Sequence, residues 1–87
     1  MSLLHVFDTY AMDQNAKAMH FDVVLADNNP PLAFRSAQHW LQSIAPENQV
    51  VTITTCNYCH SSKAIPQLTE QIQQQGYAII PLEGCPS

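Results

Sequence analysis

The sequence predicts an α+β fold with elements in the order ββαβαβ, built as a mixed four-stranded sheet with two helices. Three observations carry that expectation: alternating hydrophobicity over Ala18–Leu25 after a polar turn, two stretches with apolar residues at helical spacing, and a β-branched run between them. At 87 residues the chain has room for a single domain, residues 1–87.

Leu3 to Tyr10 reads as the first strand, with Leu4 and Val6 on one face and Leu3, His5 and Phe7 on the other. Asp13-Gln14-Asn15 has turn chemistry, because Asp and Asn side chains bond nearby backbone and tolerate left-handed conformations. In the strand that follows, Met19, Phe21, Val23 and Leu25 share one face and His20 and Asp22 the other, so the first two strands form a hairpin. Asp27-Asn28-Asn29-Pro30-Pro31 supplies capping side chains followed by prolines suited to a first helical turn. Phe34, Ala37, Leu41 and Ile44, with Trp40 beside them, make an apolar stripe that places Phe34 and Trp40 in the core and His39 on the helix surface. Pro46 stops that helix.

Val50 to Thr55 is β-branched at almost every position and reads as the third strand, delivering the chain into Cys56. A second helix starts around Pro66, since proline fits the first helical position and costs about 3 kcal/mol in the interior. Ile65, Leu68 and Ile72 form its stripe, Gly76 follows it in a left-handed conformation, and Tyr77 to Leu82 is the last strand. The two crossovers are expected to be right-handed and to join parallel strands where these are adjacent, which makes the sheet mixed.

Lys17, Arg35 and Lys63 face seven acidic residues, for a net charge of −4. Three scattered cations cannot supply the footprint a nucleic acid requires, nor a basic membrane-surface helix. No apolar stretch approaches the ~20 residues that span a bilayer. The first 16 residues carry no Lys or Arg, so a secretory signal is not expected and the chain is assigned to the cytoplasm. Three cysteines in a reducing compartment read as free thiols, metal ligands or redox groups.

Cys56-Asn57-Tyr58-Cys59-His60 is the sharpest motif, and Cys85 in Gly84-Cys85-Pro86 is expected to join it, because both lie just beyond the ends of strands read as parallel neighbours. The leading expectation is a zinc-binding module using Cys56, Cys59 and Cys85 with His60 or His20. The alternative is dithiol redox chemistry, with Cys56 as nucleophile and Cys59 as resolving thiol. A domain whose cysteines simply pack, with a structural or partner-binding role, stands beside both. C-x-x-C-H is also the haem-attachment sequence, but attachment normally takes place outside the cytoplasm. His20 and Asp22 lie two apart on one strand face, where a carboxylate can orient an imidazole or both can ligate a metal, and Asp8 or His5 stands across the hairpin. The competing reading of these residues is the solvated face of an antiparallel hairpin.

Phe7-Asp8-Thr9-Tyr10, Met19-His20-Phe21-Asp22-Val23, Cys56-x-Tyr58-Cys59-His60, Gly76-Tyr77 and Glu83-Gly84-Cys85-Pro86 together resemble DUF2024, a family of short bacterial proteins of unknown function. The resemblance spans nearly the whole chain, with the five blocks in the family's order. It implies a compact α+β domain with a mixed four-stranded sheet and two helices, and no known activity. It marks His20, Asp22, Cys56, Cys59, His60 and Cys85 as the positions to inspect. Oligomeric state and partner stay open.

Overall fold

A computed structural model describes residues 3–44 and 50–84. The element order is β1 (Leu3–Asp13), β2 (Ala18–Leu25), α1 (Pro30–Ile44), β3 (Val51–Lys63), α2 (Pro66–Gln75) and β4 (Ala78–Pro81). The ββαβαβ order stands, but the sheet is not mixed. Its strand order is β3-β1-β2-β4 and every pairing is antiparallel. The expectation of parallel neighbours fails because neither crossover joins adjacent strands: β3 passes β2 to pair with β1, and β4 returns to the far side of β2. β3 and β4 therefore occupy opposite edges and run in opposite directions.

In the β1–β2 turn the Asp13 side chain bonds nearby backbone as expected, but the left-handed conformation falls on Ala16 and not on an Asp or Asn. Asp13 Oδ1 accepts hydrogen bonds from the Asn15 and Lys17 amides, each 2.9 Å, and Ala16 has φ 62°. At α1 the two opening prolines have no amide hydrogen, so the Leu32 amide is the first donor needing a partner, and Asn29 Oδ1 accepts it at 3.2 Å. α2 opens on Pro66 and closes at Gly76, whose φ of 91° lets its amide reach back to the Ile72 carbonyl.

The helices lie on opposite faces of the sheet. Ala33, Ala37 and Leu41 of α1 pack with Phe7, Ala11, Met19, Phe21, Val23, Leu25, Tyr77 and Ile79. Leu68 of α2, with Ile72, packs on Leu4, Val6, Val24 and Ala78. Val23 and Val24 thus bury into different layers, which is why alternation ends before β2 does. The expected α1 stripe holds at Ala37 and Leu41, which are buried, and at Ile44, which packs against the same core. Trp40 packs on Phe21 with ring centroids 4.7 Å apart, but Phe34 is exposed, and Ala33 and Ser36 take the inward positions. Pro46 lies outside the described residues. No helix among the described residues is long and apolar enough to cross a membrane.

The largest departure is β3, expected to end at Thr55 and found to continue to Lys63. Its register against β1 shifts twice, between Val6 and Phe7 and between Tyr10 and Ala11. The motif Cys56–His60 lies inside this edge strand.

Candidate functional site

Short α2 covers only one end of its sheet face. Along β1 that face carries Leu4 and Val6, buried with Leu68 of α2, and then Asp8 and Tyr10, which are half-buried and exposed. β2 changes in the same place, from Val24 beneath α2 to Asp22 and His20. Two strands therefore turn from apolar to ionisable at one boundary, leaving a polar patch beside a packed layer.

Pairing fixes the patch. Asp8 stands directly opposite Asp22, and Tyr10 opposite His20. The Tyr10 and His20 rings stack with centroids 4.1 Å apart and planes 6° from parallel. His20 Nε2 hydrogen-bonds Asp8 Oδ1, with the carboxylate oxygen as acceptor. The His20 and Asp8 side chains keep 23 % and 37 % of their exposure, so a small solute can reach them although both are partly desolvated. One ligand atom from each of Asp8, His20 and Asp22 lies within 4.8 Å of the other two. The pKa of Asp22 is raised, first by burial and then by the Asp8 carboxylate, against opposing effects of His20 and His60.

Among the thiols the arrangement is different. Cys56 pairs with Thr9 and turns to the α1 layer, where Thr9 Oγ1 lies 3.5 Å from its sulfur. Adjacent strand residues point to opposite faces, so Cys56 and His20 are on opposite sides of the sheet. Cys59 is exposed at the register shift, and both cysteines are free. Neither lies at a helix N-terminus, the setting that lowers a thiol pKa, since α2 begins only at Pro66. Cys85 lies outside the described residues. The premise that joined it to the pair, parallel neighbouring strands, is corrected by the opposite edges of β3 and β4.

Of the residues singled out by sequence, Asp8, His20 and Asp22 come together, and His60 joins their face opposite Val6. His5 faces the other layer, close to Tyr58. Tyr10 went unnoticed as a site residue, though its place two positions after Asp8 puts it on the same face. His39 is on the helix surface as expected, yet its Nδ1 accepts a 2.6 Å hydrogen bond from Tyr77, whose hydroxyl pKa burial pushes up.

The family model for a domain of unknown function, DUF2024, matches residues 1–82. The fold and sequence are similar to protein NE1680 from Nitrosomonas europaea, solved by NMR, with a TM-score of 0.79 and 40 % identity over 97 % of this chain and 99 % of that one. No curated protein matches.

Proposed function

The chain belongs to the DUF2024 family, and on that premise we propose that it binds a divalent transition metal, zinc first among them, through Asp8, His20 and Asp22. The reading rests on one observation: three ligand atoms of metal-binding type within 4.8 Å of one another on an accessible sheet face. One imidazole and two carboxylates suit zinc, which takes nitrogen at ~2.0–2.1 Å and carboxylate oxygen at ~2.0–2.2 Å. An imidazole in the set disfavours magnesium and calcium, which prefer oxygen throughout. Electrostatics points the same way. Like charges directly opposite on paired strands repel, and a cation between Asp8 and Asp22 would reverse that cost. Metal ligands must give up their protons, and a metal would replace the hydrogen bond between His20 and Asp8, so binding should weaken as pH falls.

This reading moves zinc away from the thiols to the carboxylate-imidazole cluster. The test is elemental analysis and zinc titration calorimetry on protein purified without a histidine tag. About one zinc per chain is expected, lost in Asp8→Asn and His20→Ala and kept in Cys56→Ser. Absence of zinc binding by the wild-type chain, or binding abolished by Cys56→Ser alone, would overturn it.

A further inference from the structure

We infer that His60 is a fourth ligand at this cluster, turned onto it by the β-bulge at Cys59. The inference rests on the metal reading above and adds a residue from a third strand. Asn57 pairs with Asp8, so its side chain belongs on the cluster's face. Regular alternation would then send Cys59 to that face and His60 to the α1 layer. The register shift prevents this. Tyr58 pairs with Phe7 and His60 pairs with Val6, so Cys59 is the extra residue and His60 takes the face it would otherwise have missed. Bulges of this kind commonly re-aim a side chain beside a functional site.

The position suits the chemistry. Val6 precedes Asp8 by two residues on the same face, so His60 is the diagonal cross-strand neighbour of Asp8, a separation long side chains can bridge. The imidazole is close enough for its charge to act on Asp22. His60 is exposed, so its ring can turn toward a metal without leaving a core. Asp8, His20 and Asp22 leave tetrahedral zinc one protein ligand short, and a second imidazole closes the shell. In this assignment the histidine of the Cys-x-x-Cys-His motif carries the chemistry, while Cys59 supplies the extra residue that aims it.

The experiment is zinc titration of the wild-type chain, His60→Gln and Cys59→Ser, with the histidine ring nitrogens followed by NMR. Zinc should shift the ring resonances of His20 and His60 and leave those of His5 and His39 in place. His60→Gln should weaken affinity about tenfold or more, while Cys59→Ser keeps it within a few fold. Undiminished affinity in His60→Gln, an unshifted His60 ring, or an equal loss in Cys59→Ser overturns the assignment while the three-ligand site survives. Absence of binding to the wild-type chain overturns both.

Discussion

Asp22 sits under two opposed demands. As a ligand it must be ionised, yet burial and the facing Asp8 raise its pKa above the ordinary 3.8, so its charge is a burden to the metal-free fold. The sign follows from linkage. The folded state binds this proton more tightly than the unfolded one, so its stabilising contribution is complete below the ordinary value and is lost as pH rises through the raised one. Asp22→Asn should therefore make the metal-free protein more stable than wild type at pH 7, with the difference shrinking below pH ~4. Urea unfolding in chelator at both pH values measures it, and a variant less stable than wild type at pH 7 would contradict the argument. A residue that costs stability without its ligand fits a functional site, where stability and activity commonly trade against each other.

At the scale of elements, what was legible in the sequence followed from local chemistry. The α1 start is one case: Pro30 and Pro31 bring no amide hydrogens, so Asn29 can meet the first need at Leu32. Asn29→Ala should cost about 1 kcal/mol in thermal or urea unfolding, while Asn28→Ala, outside the cap, should cost much less. His20 and Asp22 on one face of β2, and Asp8 across from them, were readable because strand alternation is a local rule. β3 was not readable to its end. Cys56 to Lys63 is polar and breaks alternation, and it is a strand because β1 offers a full-length partner across two bulges. No local pattern states which edge a strand joins, so the antiparallel sheet and the separation of Cys56 from His20 were set by topology. The inward turn of Ala33 and Ser36 in place of Phe34 is likewise a choice made by packing against the sheet.

Across the whole molecule, the cluster bears on stability because of where the strand order puts it. Asp8 is on β1, His20 and Asp22 are on the adjacent β2, and His60 is on β3. A metal held by all four would tie together three of the four strands, while the helices hold only the two flanking layers. A small domain buries proportionally little surface, so a ligand bound only by its folded form should register strongly. At free zinc about 100-fold above the dissociation constant the gain is about 2.7 kcal/mol, which in a domain of this size raises the melting temperature by on the order of 10 °C. The expected outcome is a zinc-dependent rise in the melting temperature of the wild-type chain, reversed by chelator, absent in Asp8→Asn and reduced in His60→Gln at the same zinc concentration. Because the ligands span strands, the same shift should appear in amide hydrogen exchange across β1, β2 and β3 together. Protection confined to one strand would mean that the metal sits on a local turn and not across the sheet.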